Sequence, residues 1–150
     1  MNRRTFARVA GLVTIAAVLG ACSSTSLTKA APSLYEQLGG TNAVSKMGSD
    51  LLASSMKDPR LSGLLGKVDP STANAKVSDQ LCAALGGGCK PAFTDEQVTA
   101  AADRLDPDQK KALSENFGSA LSSATSNPAL REAVTKSLGS KMGGIMGALL

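Results

Sequence analysis

Residues 94–121 have the sequence TDEQVTAAADRLDPDQKKALSENFGSAL, in which one helix start closely follows another. Thr94 and Asp106 each stand three residues before a glutamine, the arrangement of a capping box, and Asp106 is also followed by Pro107. The first box predicts a short helix to about Arg104. The second predicts a longer helix with one apolar face, formed by Leu113, Phe117, Ala120 and Leu121. This stretch therefore predicts helices packed on helices.

The same start signals recur on both sides of this stretch. Further helices are predicted from a cap at Thr41 to about Lys57, from Asp69-Pro70 to about Leu85, and from Asn127-Pro128 along the apolar stripe Leu130, Val134, Leu138, Met142 and Ile145. The chain has few β-branched runs and little strict apolar–polar alternation, which strands require. We therefore expect an all-α domain.

Four short segments in register resemble the truncated haemoglobin family. They are SLYEQLGG at 33–40, KDPRL at 57–61, LCAALGG at 81–87 and Phe93-Thr94. The resemblance covers about 34–142 and implies a single truncated-globin-like helical sandwich with ridge-into-groove packing. In that family a haem is held by an axial ligand on the proximal helix.

The residues that such a haem site needs are missing from this sequence. The proximal position aligns with Ala102, whose methyl group cannot coordinate iron, and the whole chain has no histidine. The degenerate distal pocket falls on apolar residues and one lysine: Leu51, Leu52, Leu64, Leu65, Lys76 and Val77. We therefore expect no cofactor. The alternative is a haem protein with an axial ligand other than histidine, drawn from Tyr35, Met47, Met56 or Lys76.

Loss of the haem ligands leaves two predictions for the space that the haem would occupy. A retained apolar cavity would suit a fatty or other hydrophobic small molecule. A collapsed core, in which neighbouring helices have moved together, would leave no such cavity. Both remain open from the sequence.

Two cysteines of the domain are predicted to pair. Cys82 and Cys89 flank a glycine-rich turn, and a bridge between them would suit an oxidising compartment. A zinc site is the competing interpretation, but the chain has no histidine and no second cysteine pair, so no metal is expected.

Export is predicted by the first 22 residues. Arg3, Arg4 and Arg8 precede an apolar run over 9–19, which is the layout of a secretory signal and is too short to span a bilayer. The run ends in LGAC at 19–22, which resembles a lipobox. An ordinary signal peptide with a chance cysteine is the alternative. The paired arginines leave both general and twin-arginine export open.

The lipobox resemblance implies a lipid-anchored envelope protein. Residues 1–21 would be a signal peptide, Cys22 the lipidated residue that carries the palmitate, 22–32 a polar tether, and 33–150 the folded domain. Lipoproteins kept at the inner membrane have aspartate directly after the lipidated cysteine. This chain has Ser23 there, which resembles lipoproteins sorted to the periplasmic side of the outer membrane. The membrane is thus the first expected partner.

Removal of the signal changes the charge balance. The full chain has 16 basic and 12 acidic residues, and three of the basic ones lie in the signal, which leaves a net charge of about +1. A nucleic-acid partner is therefore not expected, because it would need a basic face. No enzyme is expected either. The chain has no histidine for acid–base work and no Gly-x-Ser-x-Gly or phosphate-binding motif, and its paired acids fall in the first turns of helices.

The C-terminus carries glycines every fourth residue, at Gly139, Gly143 and Gly147. Such spacing lets helices approach closely, either inside the domain, between two copies of the chain, or at the membrane. The sequence as a whole thus predicts a binding or association module. Its expected partners are an apolar small molecule, an envelope protein or a second copy of itself.

Overall fold

The computed structural model describes residues 30–150, in which Ala31–Leu150 form one compact unit of helices. The predicted signal peptide, Cys22 and most of the tether lie outside the described residues. The described part contains eight helices and no strand: α1 (Leu34–Leu38), α2 (Gly40–Lys57), α3 (Ser62–Leu65), α4 (Pro70–Ala84), α5 (Asp95–Asp103), α6 (Pro107–Ala124), α7 (Pro128–Leu138) and α8 (Met142–Gly147). None of these helices is long and apolar enough to cross a bilayer.

The predicted helix starts are confirmed where a polar side chain caps the helix. The Thr94 hydroxyl accepts a hydrogen bond from Gln97 N–H at 3.3 Å, and the Asp106 carboxylate accepts one from Gln109 N–H at 2.8 Å. In each pair the glutamine side-chain oxygen accepts a hydrogen bond from the backbone N–H of the capping residue. Asn127 caps α7 in a similar way. Each cap satisfies backbone N–H groups that would otherwise lack partners, which fixes the first residue of the helix.

The predicted cap at Thr41 is wrong. The second helix begins at Gly40, and its N-cap is Gly39, with a φ of 111°. Two consecutive glycines with positive φ turn the chain directly from α1 into α2. The Thr41 hydroxyl instead forms a 2.7 Å hydrogen bond with the Tyr35 hydroxyl.

The single last helix predicted from the apolar stripe is in fact two helices. The chain leaves α7 after Leu138 and re-enters a helix at Met142. At Gly139, the C-cap of α7, a Cβ would lie 2.6 Å from the Thr135 carbonyl oxygen, so a larger residue would not fit there without a shift. The turn over 139–141 separates α8 from α7, which the sequence pattern did not indicate.

The helices enclose one apolar core around α2. α2 packs on α4 and α6, α1 packs on α2 and α7, and α8 packs mainly on α5 and α6 with further contacts to α4. The largest fully buried side chains come from nearly every part of the domain: Phe117, Met47, Leu51, Leu61, Leu81, Leu113, Leu121, Leu138, Met142, Ile145, Met146 and Val44. Burial of each such side chain contributes about 1.5 to 3 kcal/mol, so the core is the main source of stability.

Candidate functional site

The candidate site is the region between α4 and α5, where the sequence places the two sides of the family's haem pocket. On the α5 side, Ala102 is half-buried, whereas its neighbour Ala101 is buried and faces α8. Val98, one turn earlier, is also buried. The inward face of α5 therefore offers only small or aliphatic side chains, none of which can bind a metal.

The apolar members of the predicted distal set all belong to the one core, with Leu64 partly buried at its edge, and no cavity lies between them as a group. Leu51, Leu52, Leu65 and Val77 are buried in the core, with exposures of 0 to 3%. Of the predicted set, the two leucines of α3 come together with Met146 of α8 around a gap of only about 10 Å³.

Lys76, the one polar member of the distal set, points away from this gap. It is exposed, and its Nζ lies 5.9 Å from the centre of the Phe93 ring. This distance permits a cation–π interaction. The lysine therefore belongs to the rim of the α4–α5 region and not to its interior.

The short helix α8 fills much of the space beside α5. A Cβ on Gly144 would overlap the Val98 carbonyl oxygen, and one on Gly147 would lie 3.0 Å from the Ala101 carbonyl oxygen. Met142, Ile145 and Met146 of the same helix are at most 1% exposed. Glycine thus lets the backbone of α8 rest directly on α5 while the large side chains enter the core.

Of the three glycines predicted to allow a close approach of helices, at 139, 143 and 147, only Gly147 lies at such a contact. Gly147 lies against α5 inside the domain, Gly139 lies at the bend after α7, and a Cβ on Gly143 would be 3.6 Å from the nearest atom, on Leu105. Sequence reasoning missed Gly144, which makes the tightest of these approaches. The Gly143-Gly144 doublet was the available signal.

Three surface clefts surround the C-terminal segment, residues 141–150. The tail cleft, of about 490 Å³, lies between α3 and α4 and is bordered by Leu149 and Leu150. The cation cleft, of about 430 Å³, contains Lys76, Phe93, Gln97, Arg104 and Ala148. A third, the Gln80 cleft of about 480 Å³, is bordered by Gln80, Phe93 and Ile145. Each volume is in the range of small-molecule sites.

The predicted disulfide between Cys82 and Cys89 is present, with a Cα–Cα distance of 5.6 Å. It closes the glycine turn after α4. Within that turn, a Cβ on Gly87 would lie 2.6 Å from Cys82 Sγ and 2.7 Å from the Tyr35 ring. The Tyr35 N–H donates to the Leu85 carbonyl at 3.0 Å. The bridge therefore fixes the turn that follows α4, and the Tyr35–Leu85 hydrogen bond holds that turn against α1.

The strongest charged cluster also lies outside the candidate site. Arg60 Nη2 is 2.8 Å from both Asp58 Oδ2 and Glu115 Oε2, and the Asn116 amide donates to Asp58 at 3.3 Å. The hydrogen bonds from the Arg60 side chain lower the pKa of Asp58 from 3.8 to about 2. This cluster ties the turn after α2 to α6, which is a structural role.

The acidic residues in the first turns of helices act locally. Asp106 caps α6, and Asp95 lies 3.5 Å from Lys141 Nζ. The pKa of Glu96 is lowered mainly by its own backbone N–H, with a further contribution from the Thr94 hydroxyl. Among residues 30–150, no group of three acidic or cysteine side chains is arranged to hold a metal ion.

Comparison with solved structures places the fold. The chain is similar to the truncated haemoglobin of Tetrahymena pyriformis in its iron(III) form, with a TM-score of 0.63 and 20% identity over 71% of this chain and 92% of that one. A single-residue variant of the same protein gives the same values, and another gives a TM-score of 0.60 at 21% identity. No protein-family model matches the chain, and no curated protein matches it significantly. The domain therefore has a truncated-globin fold.

Proposed function

We propose that this chain is a lipid-anchored envelope protein whose truncated-globin domain does not bind haem and serves as a binding or association module. Cys22 would hold it on the periplasmic side of the outer membrane, and the domain would bind an apolar small molecule or an envelope protein. The observation that carries the proposal is the packing of α8 against α5 and α6, beside the helix on which the sequence resemblance places the family's proximal haem ligand.

The composition of α5 supports the loss of haem binding. An axial ligand must project a nitrogen, sulfur or oxygen atom toward the iron. The inward face of α5 carries Val98 and Ala101, with Ala102 beside them, and no histidine exists anywhere in the chain. Iron would have no ligand from this helix.

The packing of α8 supports the same conclusion on grounds of space. Three large side chains of α8 are buried, and the gap beside Met146, next to α3 and α6, is about 10 Å³, which is room for no more than about one water molecule. A porphyrin in the space that α8 now fills would require α8 to move away. Re-exposure of three large side chains would cost about 1.5 to 3 kcal/mol for each of them.

Three of the four residues considered as unusual ligands are placed where they do not face the inward side of α5. Tyr35 is hydrogen-bonded to Thr41 at the other end of the domain, and Met47 is fully buried in the core on α2. Lys76 lies over the Phe93 ring on the surface. None of these contacts favours coordination of iron.

Haem titration tests the loss of haem binding. Residues 30–150 hold their own core, so this part would be purified, mixed with one equivalent of haem, passed over a desalting column and examined by absorption spectroscopy. We expect no Soret band to be retained, with a conventional truncated haemoglobin as the positive control. A red protein with one tightly held haem per chain would overturn the proposal and favour the haem-protein alternative.

Anchoring is tested separately in cells with the full-length chain. Labelling with an alkyne analogue of palmitate should mark the wild type and leave Cys22→Ala unlabelled, and fractionation should place the wild type in the outer membrane. Equal labelling of both proteins, or a soluble wild type, would contradict the lipid anchor.

A further inference from the structure

We propose that the cation cleft and the tail cleft together bind a long-chain fatty acid, with Lys76 and Arg104 holding the carboxylate and the last three residues of the chain moving aside for the acyl chain. This inference rests on the proposed function, because it names the class of apolar small molecule that the domain would bind. It is argued from the charges, the residue that the two clefts share and the low burial of residues 148–150 beside that of α8.

The two clefts are adjacent and share one residue. Lys76 borders both, and the C-terminal residues separate them, with Ala148 on the cation cleft and Leu149 and Leu150 on the tail cleft. Displacement of these three residues would therefore join two spaces of about 430 and 490 Å³. The result would be a long trough instead of a round pocket, a shape that suits an extended chain.

The charges in the cation cleft favour a carboxylate. Lys76 and Arg104 both border it, and no acidic residue does. Within residues 30–150 neither cation forms an ion pair with a carboxylate. Arg104 has only a 3.4 Å bond from its Nε to the Ala100 carbonyl, so most of its donors are available. Charge-assisted hydrogen bonds to a carboxylate are among the stronger ones that a protein makes.

The walls of both clefts favour an acyl chain. Phe93 and Ala100 provide apolar surface beside the cations. Leu64, Val68 and Ala73 continue it in the tail cleft, whose lining also includes Lys67, Asp69 and Thr72. Leu150, 53% exposed, is a large apolar side chain left in contact with water at the end of this path. A ligand with a charged head and an apolar body matches this order of surfaces.

Residues 148–150 are less buried than Met142–Gly147, so they are the part of this segment that moves. Ala148 and Leu149 are partly buried against the core, and Leu150 is exposed. Their N–H groups donate to the carbonyls of Gly144, Met146 and Gly147 at 2.9, 3.3 and 3.2 Å. A segment with fewer buried contacts opens at a lower cost in free energy than a packed one. The buried part of α8, by contrast, can stay on α5 while the acid is bound.

Fluorescence titration with cis-parinaric acid tests the proposal, and the lack of tryptophan in the chain gives a clear background. Residues 30–150 would be titrated below the concentration at which the probe self-associates, with hexadecanoic acid and 1-hexadecanol as competitors. We expect saturable binding of one probe per chain. The acid should compete at least about tenfold better than the alcohol, which lacks the charged head.

Three variants assign the site. Lys76→Met with Arg104→Met should weaken binding at least about tenfold, whereas Lys136→Met, which removes an exposed charge on α7, should not. Deletion of residues 148–150 should tighten binding several-fold, because the chain end no longer competes. Circular dichroism of each variant checks that the fold is retained, as expected for exposed or terminal positions.

The results separate this inference from the proposed function. No saturable binding, equal competition by acid and alcohol, an equal effect of Lys136→Met, or weaker binding after the deletion would overturn the fatty-acid site. If the same preparation also fails to retain haem, the proposed loss of haem binding stands without this ligand. If it retains one haem per chain, the proposed function fails whatever the probe does.

Discussion

The contact between α8 and α5 predicts opposite effects on stability for alanine substitutions at two neighbouring glycines. Gly144→Ala would place a methyl group into the Val98 carbonyl oxygen and 2.6 Å from Val98 Cγ1. Alanine in a helix is usually favoured over glycine by about 0.5 to 1 kcal/mol, but overpacking of a core costs about 1 to 3 kcal/mol. The overlap is with backbone, which cannot rotate away, so the overpacking cost should exceed the helix gain. We expect a net loss of about 1 to 2 kcal/mol.

The size of the loss is limited by how α8 can respond. Full detachment would expose Met142, Ile145 and Met146, each worth about 1.5 to 3 kcal/mol when buried. That cost exceeds the cost of a small shift of α8 away from α5. The helix should therefore shift and stay docked, which keeps the expected loss below the cost of unfolding the segment.

Gly143→Ala is the matched control, because the added methyl group would meet nothing closer than 3.6 Å. It should stabilise the domain by about 0.5 kcal/mol. The two variants should then differ by about 2 kcal/mol in the free energy of unfolding from urea titration, and by roughly 6 to 10 °C in melting temperature. If Gly144→Ala is as stable as Gly143→Ala, the description of α8 resting on the α5 carbonyls is wrong.

Three further predictions concern other parts of the domain. Because the pKa of Asp58 is lowered from 3.8 to about 2, the stability that its ion pair contributes is complete above pH 4 and is lost as the pH falls toward 2. In urea titrations, the difference in free energy of unfolding between the wild type and Asp58→Asn should therefore shrink over that range. A difference that does not change with pH would contradict this prediction. Reductant should lower the free energy of unfolding by about 2 to 3 kcal/mol, the chain-entropy value for the small Cys82–Cys89 ring, and have no effect on the Cys82→Ala, Cys89→Ala double variant. If reductant leaves the free energy of unfolding of the wild type unchanged, the disulfide does not stabilise the domain. Gly118→Ala, whose methyl group would point into open space on α6, should raise the melting temperature, and a decrease would show an unrecognised contact there.

The helix starts were predictable because their chemistry is local. A cap at Thr94, Asp106 or Asn127 bonds N–H groups two or three residues further along the chain, so the deciding atoms are all within a short window of sequence. The disulfide was predictable for a similar reason, since Cys82 and Cys89 are joined by a short glycine turn.

The failures came where a contact distant in sequence or a special backbone geometry decides the structure. The Thr41 side chain has the right chemistry for a cap, but the positive φ angles of Gly39 and Gly40 start the helix two residues earlier. The apolar stripe over 130–145 has the correct helical period, and its side chains are buried. The turn over 139–141 nevertheless divides it, and its second half packs on α5, a contact distant in sequence that no local pattern encodes.

The small residues of α5 and those of α8 belong to the same contact between the two helices. Helix backbones come into contact only where both surfaces lack bulk, and here Ala101 on α5 meets Gly147 on α8 while Gly144 meets the Val98 carbonyl. A histidine on this face of α5 would hold the two helices apart, and a bulkier residue on α8 would do the same. Under the proposed function, the lack of an iron ligand on α5 and the packing of α8 beside α5 therefore go together. By the same proposal, an imidazole at position 102 would not restore haem binding by itself, because α8 would still lie beside α5.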